Sequence, residues 1–240
     1  MQQWNNRTMS LLDLIFPKKC INCKKFGDFL CPDCFSKIRY NESSQCPSCL
    51  KASIDGFTHW ECKTETKYSI DGVISAVVYN SVARKLVRQF KYKPYVSRLS
   101  GIIGEVMNEG LAQNESFYNF IRKFEPVIVP IPLSPKRLRE RGYNHAEIIG
   151  RHVTKYFKLK LDSNVLVRVK DTKPQYKLNK RERLENVQGA FGIAKNAKIP
   201  NSAILIDDVA TTFATLKEAA KVLKQKGSKR VLGVTFAREL

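Results

Sequence analysis

Two adjacent carboxylates followed by a threonine-rich turn form the stretch with the clearest chemical potential. Asp207 and Asp208 come directly after residues 203–206, a short apolar run that predicts a buried parallel strand ending before the acids. Residues 209–215 form a hydroxyl-rich turn, and apolar residues at helical spacing follow. Ligands of open α/β sheets bind beyond the carboxyl ends of the strands, where a helix N-terminus favours phosphate. The stretch therefore predicts acids that hold sugar hydroxyls and threonines that hold phosphate oxygens; a capped helix after a strand is the simpler alternative.

Seven cysteines and one histidine have the spacing of zinc ligands. Three CxxC pairs lie within thirty residues, and His59-x-x-Cys62 supplies a fourth pair, although His59 could instead pack beside Phe57 and Trp60. Each CxxC turn directs two thiolates at one tetrahedral ion, so the set can hold one or two Zn²⁺ ions. Consecutive pairing, which the short gap between the first two pairs favours, gives two four-ligand sites; interleaved pairing and a single ion are the alternatives. The candidate ligands are Cys20, Cys23, Cys31, Cys34, Cys46, Cys49, His59 and Cys62.

A large excess of positive charge predicts an acidic partner. The 240 residues carry 42 Lys and Arg against 22 Asp and Glu, a formal net charge of +20. Such a surface suits nucleic acid, phosphorylated small molecules or an anionic membrane, and an AT-rich genome that favours lysine is the alternative explanation. Tyrosines interleaved with the cations favour single-stranded DNA, whose bases stack on aromatic rings. The candidate DNA contacts are Arg84, Lys85, Arg88, Lys91, Lys93 and Lys136.

Alternating strand and helix patterns predict an α/β fold with a parallel sheet in residues 67–240, preceded by a helix and a zinc-binding domain in residues 1–66. Residues 170–185 are polar, basic and aperiodic, which predicts a functional or disordered loop. No segment is long and apolar enough to span a bilayer, which predicts a cytoplasmic protein, with peripheral attachment at the inner face of the membrane as a variant. Strands are predicted at residues 73–79, 127–131, 165–169, 203–206 and 230–236, and a strand or an extended segment at 187–193. Helices are predicted at 8–16, 82–92, 97–124 with an interruption near 113–116, 144–157 and from 216 onward.

The order of these parts resembles the ComF (ComFC) family of competence proteins. The resemblance implies a double zinc ribbon followed by a type I phosphoribosyltransferase-like domain, and a role in DNA uptake and natural transformation. It also implies binding of single-stranded DNA and phosphoribosyl diphosphate, with the competence helicase and recombination-mediator proteins as partners. Besides the cysteine pairs, the matching stretches are Phe-Lys-Tyr-Lys at 90–93, Val-Pro-Ile-Pro-Leu-Ser-Pro-Lys-Arg-Leu-Arg-Glu-Arg-Gly-Tyr-Asn-His-Ala at 129–146, Thr-Lys-Pro-Gln at 172–175, Arg-Glu-Arg-Leu-Glu-Asn-Val-Gln-Gly-Ala-Phe at 181–191, and the acidic motif at 204–216.

The acidic motif looks like the diphosphosugar-binding motif of type I phosphoribosyltransferases, which implies a role for each side chain. Asp207 and Asp208 would be the catalytic pair and would accept hydrogen bonds from the ribose hydroxyls. The loop would hold the 5′-phosphate, Mg²⁺ would bridge diphosphate and ribose oxygens, and nearby cations would counter the pyrophosphate. The alternatives in function are an active phosphoribosyltransferase with an unknown acceptor and a sensor that binds the diphosphosugar without turnover. The other implied contacts are Ala210, Thr211, Thr212, Phe213, Ala214 and Thr215 in the loop, with Lys136, Arg137 and Arg141 after the preceding strand.

Phe213 departs from the family pattern, which has glycine at this position. Glycine permits a positive φ angle and a close approach of the backbone to a ligand, and phenylalanine is expected to do neither. The ring must either point away from the loop and leave its N–H groups usable, or fill the phosphate site. We expect the first, with weak diphosphosugar binding and little or no turnover.

Overall fold

The computed structural model describes residues 17–65, 68–91, 96–172 and 179–239. The helix predicted at residues 8–16, the predicted DNA contact Lys93 and residues 173–175 of the family motif lie outside the described residues. None of the described helices combines the length and the apolar character that crossing a bilayer requires. The helices are α1 (Pro32–Phe35), α2 (Trp60–Glu65), α3 (Ser81–Phe90), α4 (Val96–Ala112), α5 (Glu115–Phe124), α6 (Pro135–Arg141), α7 (His145–Phe157), α8 (Lys180–Val187) and α9 (Ala214–Gln225). The strands are β1 (Gly72–Val78), β2 (Val127–Pro130), β3 (Lys160–Leu161), β4 (Leu166–Arg168), β5 (Phe191–Ile193), β6 (Ser202–Ala210) and β7 (Arg230–Arg238).

A five-stranded parallel sheet with the strand order β1-β7-β6-β2-β3 forms the centre of the fold. β2 and β6 are neighbours, yet the chain continues from β2 to β3 on one side and from β6 to β7 on the other. The helices that follow these two strands, α7 and α9, pack into different apolar clusters. A crevice therefore opens between the carboxyl ends of β2 and β6, which is where open α/β sheets bind ligands. The predicted α/β fold with a parallel sheet is confirmed.

β6 is the central strand, and its sequence explains this position. Its isoleucines lie in one apolar cluster, whereas Ala203 and Leu205 lie in the other, so both faces of the strand are buried. A strand that is covered on both faces needs a continuous apolar run rather than alternation. β6 continues to Ala210 because β7 pairs with it as far as Arg238. The two acids therefore lie inside the strand, and the prediction that the strand ends before them is wrong.

Two other segments differ from expectation. Residues 165–169 contain the predicted strand, but β4 pairs antiparallel with β5 in a separate hairpin instead of joining the parallel sheet. Part of the stretch predicted as an aperiodic loop forms α8, which begins with a capping box between Asn179 and Glu182. Reciprocal side-chain hydrogen bonds to the backbone initiate this helix, so it needs no apolar periodicity to be defined.

The cysteine-rich segment packs directly against the sheet. Residues 39–41 pair with the edge strand β1 through backbone hydrogen bonds of 2.8 and 3.0 Å. Lys85 on α3 donates to the backbone and side-chain oxygens of Asn22 at 3.2 and 2.9 Å. Three of the cysteines belong to the same apolar cluster as the buried side of α3. The segment therefore covers an edge of the sheet and supports α3, the helix that leads to the acid pair.

Candidate functional site

The two acids lie near the carboxyl end of β6 beside two basic groups. The Nζ atom of Lys91 is 2.5 Å from Oδ2 of Asp208, and Nε2 of His145 is 3.5 Å from the same oxygen. The same histidine nitrogen is 3.9 Å from Oδ1 of Asp207. Because the side chains of Asp208 and His145 are only 7% and 6% exposed, solvent screens this cluster weakly.

Burial and charge give the two carboxyl groups different proton affinities. Burial, followed by the adjacent Asp208, raises the pKa of Asp207 to about 7. Burial acts in the same direction on Asp208, but the Lys91 ammonium and His145 outweigh it and hold the pKa of Asp208 below its ordinary value. Near pH 7 Asp208 is therefore ionised and Asp207 is partly protonated, so the pair carries fewer than two negative charges.

His145 completes the network as a neutral ring. Burial lowers the pKa of His145 despite the attraction of Asp208. Arg141 donates from Nη1 to Nδ1 of the ring at 3.0 Å, which leaves the Nε2–H group facing the acids. Ligand atoms of the histidine and both acids lie within 4.8 Å of one another, a spacing that could hold a metal ion. The Lys91 ammonium already faces Asp208, however, and would repel a cation placed there.

The Arg-Gly-Tyr-Asn segment after α6 places these groups. Gly142 ends α6 with φ of 77°, a left-handed conformation that glycine adopts without strain. The Tyr143 hydroxyl donates to the carbonyl of Phe90 at 2.6 Å, which fixes the end of α3 immediately before Lys91. Asn144 caps the N-terminus of α7 and donates to a carbonyl after β2 at 3.0 Å. The segment thus joins three elements around the acid pair.

The turn after β6 leads into the N-terminus of α9. Residues 211–213 form a bend, and the helix begins at Ala214 without a side-chain cap. Oγ1 of Thr212 is buried and has no hydrogen-bond partner within the described part of the chain. A concavity lined by Asp207 and residues 209–216 lies beside it. The first N–H groups of the helix and this hydroxyl are donors of the kind that a phosphate accepts from.

Phe213 adopts the backbone conformation for which glycine was expected to be needed. Its φ is 57° and its ψ is 5°, so the expectation that phenylalanine does not reach positive φ here is wrong. The residue is 4% exposed, and the guanidinium carbon of Arg238 lies 3.9 Å from the ring centroid. Burial and this cation–π contact offset the left-handed conformation, which costs about 1–2 kcal/mol. The ring is packed inside the protein instead of standing free in the loop.

The predicted cations within the described residues divide into three groups. Lys91, predicted to contact DNA, lies in the acid network together with Arg141. Arg137 donates to the carbonyl of Thr172 at 2.8 Å, and Arg168 on β4 donates to the Thr172 hydroxyl at 2.5 Å. Both guanidinium groups therefore contact the same residue, and burial together with the nearby Arg137 lowers the pKa of Arg168. The exposed predicted cations are Arg84, Lys85, Arg88 and Lys136.

The eight zinc-ligand candidates form two clusters, and the grouping is the one that consecutive pairing predicts. Within each cluster the ligand atoms lie within 4.8 Å of one another. The first cluster contains Cys20, Cys23, Cys31 and Cys34, and the second contains Cys46, Cys49, His59 and Cys62. His59 donates from Nε2 to the carbonyl of Ala52 at 3.0 Å, while its Nδ1 is 3.3 Å from Sγ of Cys49. This hydrogen bond leaves a lone pair on Nδ1 for an ion. Donor sets of four sulfurs, and of three sulfurs with one nitrogen, both fit tetrahedral Zn²⁺.

Each cluster is built on a copy of the same backbone turn. We call the copy at residues 19–26 the first knuckle and the copy at residues 45–52 the second knuckle. In each knuckle the backbone N–H of the first cysteine donates to the carbonyl five residues later, at 2.8 Å in the first knuckle and 2.9 Å in the second. The backbone carbonyl of the same cysteine accepts from the N–H four residues later, at 2.9 Å in both. The residue after the second cysteine, Lys24 or Leu50, is left-handed with φ of 68° or 63°. This internal repeat is the structural basis of a double zinc ribbon.

Comparison with known proteins agrees with this construction. Residues 11–63 match the family model of the double zinc ribbon domain. The chain is 26% identical over 224 residues to Competence protein F of Haemophilus influenzae, covering 86% of this chain and 95% of that protein. It is 28% identical over 207 residues to Competence protein ComFC of Bacillus subtilis, covering 82% and 79%. The chain is a homologue of the ComF competence proteins. DNA utilization protein YhgH of Escherichia coli is 29% identical over 104 residues, covering 43% of this chain and 45% of the relative.

Sequence reasoning missed three residues of this site. His145 directly follows the Arg-Gly-Tyr-Asn segment, and Arg168 is the one cation in the apolar run 165–169, so both had a local signal. Arg238 lies 25 positions after Phe213 and has no such signal, because only the pairing of β6 with β7 brings it to the loop.

We expect the native protein to hold two Zn²⁺ ions per chain. His59→Ala removes one ligand and should lower the content to about one ion, whereas His59→Cys restores a four-ligand set and should retain two. Cys20→Ser should remove the ion of the first cluster only, because each site folds around its own metal. Elemental analysis of protein purified without a chelator measures the number of zinc ions per chain. Two ions in His59→Ala would contradict the role of His59, and less than one ion in the native chain would contradict both sites.

Proposed function

We propose that this ComF-type chain acts in DNA uptake, binds single-stranded DNA, and binds phosphoribosyl diphosphate in the crevice between β2 and β6. The observation that supports the second ligand is the convergence of Asp207, the open turn at residues 211–213 and two guanidinium groups that both contact Thr172. These groups suit sugar hydroxyls, a phosphate and a diphosphate respectively. The relatives' names, competence protein and DNA utilization protein, support the role in DNA uptake.

Each part of phosphoribosyl diphosphate has a matching group in the crevice. Asp207, whose side chain is 16% exposed, exchanges hydrogen bonds with the ribose hydroxyls. The Thr212 hydroxyl and the first N–H groups of α9 donate to the 5′-phosphate. Arg137 and Arg168 are held by one residue, Thr172, and face the diphosphate. Two guanidinium groups that contact the same residue repel each other, so an anion bound between them would stabilise the arrangement.

Mg²⁺ would bind together with the diphosphosugar rather than in a cage made by the protein. This ion keeps several waters and takes one or two carboxylates beside phosphate oxygens. Because the Lys91 ammonium already compensates Asp208, the diphosphate and ribose oxygens would supply most of its ligands. When bound, the ion neutralises charge on the diphosphate.

The intact acid pair favours a second candidate function, phosphoribosyl transfer to an unknown acceptor. Carboxylate charge beside the ribose stabilises the positive charge that develops on the sugar when the diphosphate leaves. A sensor that binds the diphosphosugar without turnover needs the same contacts. Release of pyrophosphate in the presence of candidate acceptors separates the enzyme from the sensor.

Single-stranded DNA is proposed to bind across α3 and the first knuckle. Arg84 and Arg88 lie one turn apart on the exposed face of α3, and Lys85 joins this face to the knuckle through its hydrogen bonds at 2.9 and 3.2 Å. On the knuckle, Phe26 is 67% exposed, and Nζ of Lys19 lies 4.8 Å from its ring centroid. An exposed ring for base stacking between cations for phosphates is the usual composition of a single-strand surface.

We expect the native protein to bind phosphoribosyl diphosphate in the presence of Mg²⁺, as measured by isothermal titration calorimetry. Asp207→Asn keeps the volume of the side chain and the Lys91–Asp208 pair, yet should weaken binding at least about tenfold, or about 1.4 kcal/mol, because the ribose loses a carboxylate. Arg168→Gln should weaken it similarly, and the control Arg139→Gln, on the exposed side of α6, should leave it unchanged.

Phe213→Gly is expected to bind no tighter than the native chain, since the ring does not occupy the open loop. Tighter binding by the glycine variant would show that the ring obstructs the ligand. No heat of binding for the native chain with saturating Mg²⁺ would reject the diphosphosugar part of the proposal.

Affinity for a single-stranded oligonucleotide should depend on α3 and Phe26. The double change Arg84→Glu and Arg88→Glu should weaken binding at least about tenfold, and Phe26→Ala at least about fivefold, given that one stacked base contributes about 1–3 kcal/mol. The control Arg122→Glu with Lys123→Glu changes the net charge equally on α5 and should weaken binding less. Fluorescence anisotropy at several salt concentrations checks this, with a slope of about 0.7 log units for each phosphate neutralised. Equal losses in both double variants would contradict a localised surface.

A further inference from the structure

Arg238, the last residue of β7, joins the loop after β6 to the second knuckle. Its guanidinium lies over the ring of Phe213, with 3.9 Å to the centroid. Nη1 donates to the carbonyl of Thr211, and Nη2 donates to the side-chain oxygen of Gln45 at 2.8 Å. Arg238 is 6% exposed. One buried cation therefore holds the loop at two points and the zinc-binding segment at a third.

Gln45 is part of the backbone that carries the second zinc cluster. It directly precedes Cys46 and forms a β-bridge with Ala52. The carbonyl of Ala52 accepts the hydrogen bond that orients the ligand His59. The position of Gln45 is thereby set by the same hairpin that sets the geometry of the zinc ligands.

The contacts of Arg238 favour precise geometry over stability. Burial lowers the pKa of Arg238 and outweighs the opposing charge of the adjacent Glu239, and the three groups described above are neutral. A buried cation held by neutral groups costs free energy relative to an apolar side chain. A guanidinium is planar and rigid, so it can stack on a ring and donate in two fixed directions at once. These are the features needed to keep Phe213 left-handed and the carbonyl of Thr211 turned away from an incoming phosphate.

We propose that Arg238 is a positioning residue that holds residues 211–215 in their phosphate-binding conformation and, through Gln45, couples this conformation to zinc in the second cluster. The functional consequence rests on the proposed diphosphosugar site, whereas the positioning can be measured without a ligand. By thermodynamic linkage, a phosphate ligand bound in the loop raises the zinc affinity of the second cluster. Zinc in that cluster raises the affinity of the loop for the ligand by the same factor.

Hydrogen–deuterium exchange of the zinc-loaded full chain tests the positioning. Arg238→Lys keeps the charge but loses the planar fork, and Gln45→Ala removes only the link to the knuckle. Amides of residues 211–215 should exchange at least about fivefold faster in both variants, while peptides from β2 stay unchanged. The matched controls are Arg230→Lys, at the other end of β7, and Gln113→Ala, an exposed glutamine, and both should match the native chain. Unchanged loop exchange in either test variant, or equal acceleration throughout the sheet, would overturn the proposal.

The coupling to zinc is tested by the zinc affinity of the second cluster, measured by competition with a chelator of known affinity. Saturating phosphoribosyl diphosphate with Mg²⁺ should raise this affinity at least about threefold in the native chain and leave it unchanged in Gln45→Ala. If calorimetry shows that the native chain binds no ligand, the proposed diphosphosugar function fails, and the exchange result alone decides the role of Arg238. If the ligand binds and raises the zinc affinity in neither protein, or equally in both, the coupling through Gln45 is overturned.

Discussion

The ion pair between Lys91 and Asp208 is the interaction on which the site depends. Two adjacent carboxylates in a buried strand cannot both remain ionised without compensation. The Nζ atom of Lys91, 2.5 Å from Oδ2 of Asp208, keeps that carboxyl ionised. Burial and the adjacent Asp208 raise the pKa of Asp207 to about 7. Removing one partner of such a buried pair costs about 3–5 kcal/mol, because the other charge is left uncompensated. The acids can therefore stay at the end of the central strand only while α3 delivers Lys91 to them.

This requirement explains why separate segments converge on the crevice. α3 must end immediately before Lys91, and the hydrogen bond from Tyr143 to the carbonyl of Phe90 fixes that end. α7 must begin at His145 so that the ring reaches both acids. The first knuckle supports α3 from outside, and the second knuckle contacts Arg238 behind the loop. The zinc-binding segment is thus part of the scaffold of the crevice.

Features that depend on local chemistry could be predicted from the sequence. The cysteine spacing predicts the two clusters because one CxxC turn directs both its ligands at one ion, and the apolar run before Asp207 predicts a buried strand. Features that depend on distant partners could not be predicted. β6 extends past the acids because β7 pairs with it to Arg238, and Phe213 is left-handed because that same arginine covers its ring. In the sequence Lys91 cannot be distinguished from the neighbouring surface cations, because only the folded chain brings it to Asp208.

Carbon-13 NMR of the aspartate carboxyl groups tests the electrostatics of the acid pair most directly. Spectra of the native chain would be recorded between about pH 3 and pH 9, with Asp207→Asn and Asp208→Asn for assignment. We predict that the Asp207 carboxyl titrates near pH 7 and that the Asp208 carboxyl stays ionised to well below the ordinary range of an aspartate. Titration of both carboxyls near the ordinary pKa of about 4 would show that Lys91 and burial do not separate the pKa values of Asp207 and Asp208. That result would contradict the site described.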